Sequence, residues 1–137
     1  MANILILQEA SGRYQAIRKS LQDNHTLLFA ENSQDALALL DEQPIDLIIS
    51  RVHLERSNVF EFIRAVKMNP KHKNIRFVCF SATRSQLAKV LDATLAHATA
   101  VMGADQYLSL DQFCVDGVCN YQAIRNTIET LLKTTVK

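Results

Sequence analysis

The chain has 137 residues, of which 48% are hydrophobic and 21% are charged, and its formal net charge is +1. This length suits one domain with its own core, and the composition excludes a disordered or fibrous protein. The near-neutral charge predicts no general attraction to nucleic acid or to an anionic membrane.

Targeting and membrane segments are not expected. No apolar run approaches membrane-spanning length, and Gln8 and Glu9 end the first run before a signal-peptide core could form. We therefore predict a single domain over residues 1–137 of a cytoplasmic protein, in which three cysteines stay reduced: Cys79, Cys114 and Cys119.

The first half of the chain alternates strand and helix patterns. Residues 3–7, 26–30 and 46–50 are apolar runs of strand length. A helix beginning at Ser11 or Gly12 is predicted between the first two runs. A second helix, capped by Ser33, is predicted before the third run. Val59 then begins the apolar pattern of a third helix.

The second half repeats the alternation. Residues 75–80 form the fourth apolar run, and residues 84–102 predict a long helix. That helix has one apolar stripe, which we expect to be buried: Leu87, Val90, Leu91, Thr94, Leu95, Ala98, Val101 and Met102. Residues 103–108 form a fifth strand, and Asn120 caps a last helix. Five β-α units predict an α/β fold with a doubly wound parallel sheet.

Four segments of this pattern resemble the receiver domains of response regulators. They are residues 46–50, which run from an acid into a strand, residues 60–62, which read Phe-Glu-Phe, the pair Ser81-Ala82, and residues 103–108, which read Gly-Ala-Asp-Gln-Tyr-Leu. The resemblance implies a flavodoxin-like (CheY-like) sheet of five parallel strands in the order 2-1-3-4-5. It also marks the fourth helix as longer than usual.

The resemblance implies a site at which receivers hold Mg²⁺ and a phosphoryl group on an acid pair, an acceptor aspartate, a hydroxyl and a lysine. In this chain those positions are Gln8, Glu9, Arg51, Ser81 and Leu110. Mg²⁺ requires hard oxygen ligands, and a guanidinium remains protonated and is no nucleophile. We therefore expect no metal, no cofactor and no enzyme activity. An Arg51–Glu9 salt bridge is predicted in place of the metal.

Two further features suggest contacts with other proteins. Tyr107 matches the aromatic residue that receivers move on activation, although an aromatic side chain on a half-buried strand is also ordinary packing. The fourth helix has a second face of small residues beside a histidine, which we predict to be a partner surface: Ala93, Ala96, His97 and Ala100. The resemblance implies homodimerisation through the fourth helix, fifth strand and fifth helix as one use of this face.

Cys114 and Cys119 could form a metal or redox pair, but the spacing and the missing second pair favour two plain thiols. A basic cluster is predicted to be a solvated loop rather than a nucleic-acid site: Arg64, Lys67, Lys71, Lys73 and Arg76.

The sequence therefore predicts an atypical, stand-alone receiver domain that acts as a phosphorylation-independent interaction module in phosphorelay signalling. Its partner would be a signalling kinase, regulator or output protein. One alternative is phosphorylation at another residue, such as Ser50 or His53. Another is an enzyme or small-ligand sensor, which lacks a Gly-rich phosphate loop after Leu7. A DNA-binding regulator would need an output domain after Lys137.

Overall fold

Apolar runs form the strands of the sheet, and amphipathic segments form the helices that cover it. The computed structural model describes residues 2–8, 15–52, 54, 57–81, 86–115 and 118–133. The strands of the main sheet are β1 (Asn3–Leu7), β2 (Thr26–Ala30), β3 (Leu47–Arg51), β4 (Arg76–Ser81) and β5 (Gln106–Ser109). The helices are α1 (Gln15–Leu21), α2 (Ser33–Glu42), α3 (Val59–Met68), α4 (Gln86–Met102) and α5 (Tyr121–Lys133).

The five strands pair in parallel in the order β2-β1-β3-β4-β5, which confirms the predicted sheet. The central strands are buried on both faces, because helices cover the sheet from both sides. One core layer lies between the sheet and the helices α1 and α5, and includes Ile6 and Ile124. The other lies under α2, α3 and α4, where the rings of Phe62 and Phe77 are 5.5 Å apart.

Asparagine side chains begin three of the helices. The side-chain oxygen of Asn32 accepts the backbone N–H of Asp35 at 2.8 Å, so the cap of α2 is Asn32 and the predicted cap at Ser33 is wrong. Asn58 caps α3 in the same way, and Asn120 caps α5 as predicted. The predicted beginning of α1, at residue 11 or 12, lies outside the described residues.

The helix α4 has 17 residues and is the longest helix in the described part of the chain. Its predicted buried stripe is partly wrong, because Val90 and Val101 are 70% and 72% exposed, whereas Thr99 is fully buried. The buried side is thus rotated relative to the prediction, and the Thr99 hydroxyl enters the core by donating to the carbonyl of Leu95 at 2.8 Å.

Gly103 ends α4 with a positive φ of 117°. The backbone N–H of Gly103 donates to the carbonyl of Ala100, and that of Ala104 donates to the carbonyl of Thr99, the two bonds of a Schellman cap. A Cβ at position 103 would lie 3.0 Å from Cγ of Lys67 on α3. The backbone and the neighbouring helix therefore both require glycine here.

Asp105 connects α3, β4 and β5. Its carboxylate accepts the backbone N–H of Phe77 at 2.8 Å and lies 3.9 Å from Nζ of Lys67 and 3.5 Å from Nη1 of Arg76. Lys67 also donates to the carbonyl of Ile75 at 2.9 Å. The prediction of a wholly solvated basic cluster is therefore wrong for Lys67 and Arg76, because Asp105 pairs with both. The other three members of the cluster are exposed as predicted: Arg64, Lys71 and Lys73.

The segment between β5 and α5 has structure of its own. A 3₁₀ helix (Leu110–Phe113) leads into a hairpin of β6 (Cys114–Val115) and β7 (Val118–Cys119). Cys114 lies opposite Cys119 in this antiparallel pair, and a disulfide joins them. The prediction of two reduced thiols at these positions is therefore wrong, because sequence spacing did not reveal the hairpin that brings them together. Cys79 is a free, buried cysteine.

No described helix is both long and apolar enough to cross a membrane.

Candidate functional site

The candidate site lies at the carboxyl edge of the sheet, where parallel strands end together. Gln8 follows β1, Arg51 ends β3, Ser81 ends β4, and Leu110 follows β5. The register pairs Leu7 with Ser50 and Arg51 with Phe80, so the first three positions come to adjacent strand ends. This is the edge at which open α/β sheets bind their ligands.

Arg51 lines a cleft of about 440 Å³ beside this edge. The cleft is bounded by the end of β3, the beginning of α3 and Leu95 of α4, and its polar lining includes Ser57 and Asn58. Ser57 accepts the backbone N–H of Ser33 at 3.1 Å, which ties this wall to the start of α2. The partly buried Arg51 therefore contributes a cationic side chain to the lining of this cleft.

Gln8 supplies a neutral amide where the resemblance implies an acid. Its side-chain oxygen is buried without a hydrogen bond to any residue in the described ranges. A carboxylate in that position would be costly, because a buried charge requires a partner. Glu9 lies outside the described residues, and the predicted Arg51–Glu9 salt bridge therefore remains a prediction.

Ser81 and Ser50 lie at this edge of the sheet, and both are buried. Ser81 is fully buried at the end of β4. Ser50, named above as an alternative phosphorylation site, is also fully buried, and its hydroxyl donates to the carbonyl of Arg51 at 3.0 Å. A phosphodonor cannot reach Ser50 in this conformation. His53, the other alternative, lies outside the described residues.

Leu110 does not join the cleft. Its side chain is only 4% exposed and packs in the core layer of α1 and α5, with Ile124 and Ile128. The peptide bond after Leu110 is trans, as expected for a non-proline successor. The position at which the resemblance implies a phosphate-binding lysine therefore contributes to the core in this chain.

Tyr107 is half-buried on β5 and bonded to α4. Its hydroxyl donates to Oδ1 of Asp92 at 2.8 Å. Burial raises the pKa of the Tyr107 phenol, and the hydrogen bond and negative charge of Asp92 raise it further. The phenol is thus held neutral, as a donor to α4.

Asp92 was not singled out by the sequence, although a signal existed. It is the one carboxylate between residues 90 and 102, a stretch that otherwise has only His97 as an ionisable side chain. A lone acid in an apolar helix 15 residues before a tyrosine is a reason to look for a hydrogen-bonded pair.

The predicted partner surface on α4 is largely solvent-exposed. Ala93, His97 and Ala100 are exposed, and Ala96 is partly buried. Val90 and Val101 extend this apolar surface along the helix.

Comparisons with known proteins found similarity to solved structures only. No protein-family model matches the sequence, and neither does any curated protein. The solved structures that match include the chemotaxis response regulator CheY4 of Vibrio cholerae, at 23% identity and a TM-score of 0.69 over 96% of this chain and 98% of that one. A response regulator from Chloroflexus aurantiacus J-10-fl is 17% identical, with a TM-score of 0.75 over 97% of this chain and 98% of that one. The Mn²⁺-bound form of response regulator Rcp1 is 18% identical, with a TM-score of 0.72 over 99% of this chain and 98% of that one. The chain therefore has the flavodoxin-like, CheY-like fold of response-regulator receiver domains.

Proposed function

We propose that this chain is an atypical receiver domain of two-component signalling that acts through protein contacts and not through phosphoryl transfer. The observation that supports this is Arg51, which stands at the end of the central strand β3 and lines the cleft at the carboxyl edge. A guanidinium is not a nucleophile and repels Mg²⁺. Gln8 and Leu110 support the same proposal, since neither supplies the charge that phosphoryl transfer needs there.

The test is exposure of the whole chain to Mg²⁺ with acetyl phosphate, and separately to Mg²⁺ with beryllofluoride. We expect no gain of a phosphoryl group by intact mass and no change in melting temperature with either reagent. A receiver domain that has the acceptor aspartate is the positive control, and it should gain the phosphoryl group.

A phosphoryl adduct on this chain, or stabilisation that depends on Mg²⁺ and beryllofluoride, would contradict the proposal. Peptide mapping of such an adduct to Ser50 or His53 would favour phosphorylation at a non-standard residue instead. Because acyl phosphates and phosphohistidine are labile in acid, the mapping needs neutral conditions.

The surface that we propose for protein contacts is the exposed face of α4, which includes Ala93, His97 and Ala100 together with Val90 and Val101. Small side chains let another backbone approach closely, and the exposed valines offer apolar area that association would remove from water. The proposed occupant is a signalling protein or a second copy of this chain. A charge placed at Ala100 is therefore expected to weaken association.

A further inference from the structure

The hairpin between the 3₁₀ helix and α5 is a small structure that the proposed function does not use. Each of its strands has two residues, and its register pairs Cys114 with Cys119 and Val115 with Val118. The valines are 73% and 74% exposed, so neither of them packs in the core. Short two-stranded hairpins are marginal in water, and this one therefore depends on its covalent link.

The segments on both sides of the hairpin are fixed independently of the disulfide. Leu110 is buried in the core layer of α1 and α5, and Phe113 packs against that layer. On the other side, Asn120 caps α5 by accepting the backbone N–H of Ala123 at 3.0 Å. The rest of the domain can thus keep its structure whether the two sulfurs are joined or separate.

The three cysteines differ in exposure. Cys114 and Cys119 are partly exposed residues, whereas Cys79 is fully buried in β4. Burial raises the pKa of the Cys79 thiol to about 12, so this third cysteine has very little reactive thiolate. Exposed disulfides are the class that exchanges with external thiols, and buried thiols are inert.

We propose that Cys114 and Cys119 are a reversible dithiol–disulfide pair whose redox state determines whether the β6–β7 hairpin is formed. The reaction is exchange with small thiols and disulfides of the glutathione class. An external thiolate attacks one protein sulfur, which forms a mixed disulfide and releases the other protein sulfur as a thiolate. A second external thiolate then attacks the external sulfur of the mixed disulfide, and the remaining protein sulfur leaves as a thiolate. The protein gains two electrons and two protons as a dithiol, and the two external thiols leave joined as a disulfide.

The test equilibrates the full chain in glutathione buffers that range from almost fully reduced to almost fully oxidised, and then alkylates the free thiols with iodoacetamide. Peptide mass mapping should show Cys114 and Cys119 becoming labelled together as the buffer is made more reducing, with Cys79 unlabelled throughout. A disulfide that stays closed in the most reduced buffer, or thiols that stay open in the most oxidised one, would overturn the proposal.

Hydrogen exchange tests the structural half of the proposal. The backbone amides of β6 and β7 lie in the two short strands that the disulfide joins. Reduction should raise the exchange rate of these amides about tenfold or more, while amides of β3 remain unchanged. Exchange that is equal in both redox states would refute control of the hairpin, even if the thiols react.

Two variants serve as controls. Cys114→Ser with Cys119→Ser should behave as the reduced chain in every buffer, and its melting temperature verifies that the domain remains folded. Cys114→Ser alone should form a mixed disulfide at Cys119, since no second thiol is present to resolve it. A single variant that resists glutathione would show that the sulfur is inaccessible, and would overturn the proposal.

Discussion

Cys79 is a thiol with no exposed surface, and its titration affects the stability of the fold. Burial raises its pKa from 9.0 to about 12, while a hydrogen bond with Thr99 acts in the opposite direction. The folded chain thus retains this proton at pH values where the unfolded chain releases it. The stability that depends on the neutral thiol is complete below pH 9.0 and is lost as the pH rises toward 12.

We predict that the free energy of unfolding falls above pH 9.0, with a slope from this thiol of at most about 1.4 kcal/mol per pH unit. Urea unfolding at a series of pH values, without reductant so that the disulfide is kept, measures the slope. Cys79→Ala is the control and should have the shallower slope. Equal slopes in the two proteins would show that Cys79 does not titrate as described.

At the scale of the elements, the motif at residues 103–108 has structural roles at the end of α4 and in β5. Gly103 ends α4, Asp105 binds the start of β4, Tyr107 binds α4, and Leu108 enters the core. These four of the six motif positions therefore have structural roles that do not involve phosphate. These structural roles account for the motif in a chain that has arginine at the end of β3.

The bond between Tyr107 and Asp92 predicts a coupling between β5 and α4. A double-mutant cycle with Tyr107→Phe and Asp92→Asn should give a coupling energy of about 1 kcal/mol, measured by urea unfolding of the four proteins. The exposed pair Gln122–Asn126, whose side chains are 3.0 Å apart, is the matched control and should couple far more weakly. Additive effects at Tyr107 and Asp92 would mean that the bond contributes nothing.

At the scale of the whole molecule, the proposed α4 surface predicts a change in association. Ala100→Glu should shift a self-associating chain toward monomer in sedimentation, or weaken a partner complex at least tenfold, because a buried unpaired carboxylate is costly. Ala38→Glu is the matched control, since Ala38 is an exposed alanine on α2. If both variants associate like the unmodified chain, α4 is not the contact surface.

A doubly wound parallel sheet was predictable from the apolar runs and their β-α alternation. The strand order 2-1-3-4-5 came from the resemblance to receiver domains. The positions of Gln8, Arg51 and Ser81 at one edge followed from that topology alone.

Individual side-chain roles were harder to predict than the sheet. The sequence offers both Asn32 and Ser33 as a cap for α2, and the structure uses Asn32. The exposed side of α4 was misplaced because Val90 and Val101 fit an apolar stripe on sequence spacing, whereas the structure exposes both valines and buries Thr99. The Cys114–Cys119 disulfide could not be predicted, because the spacing of the two cysteines in the sequence does not reveal the hairpin that pairs them.

Gly103 also restricts how this chain can change by mutation. Any other residue would have to adopt an unfavourable positive φ and displace the Lys67 side chain, which is bonded to the turn before β4 and paired with Asp105. A substitution at one loop position would thus disturb two helices and two strands together. The exposed positions of α4, a few residues earlier, have no such restriction. We therefore expect substitutions to be tolerated at the exposed positions of α4, which form the proposed contact surface, and not at Gly103, which directly follows that helix.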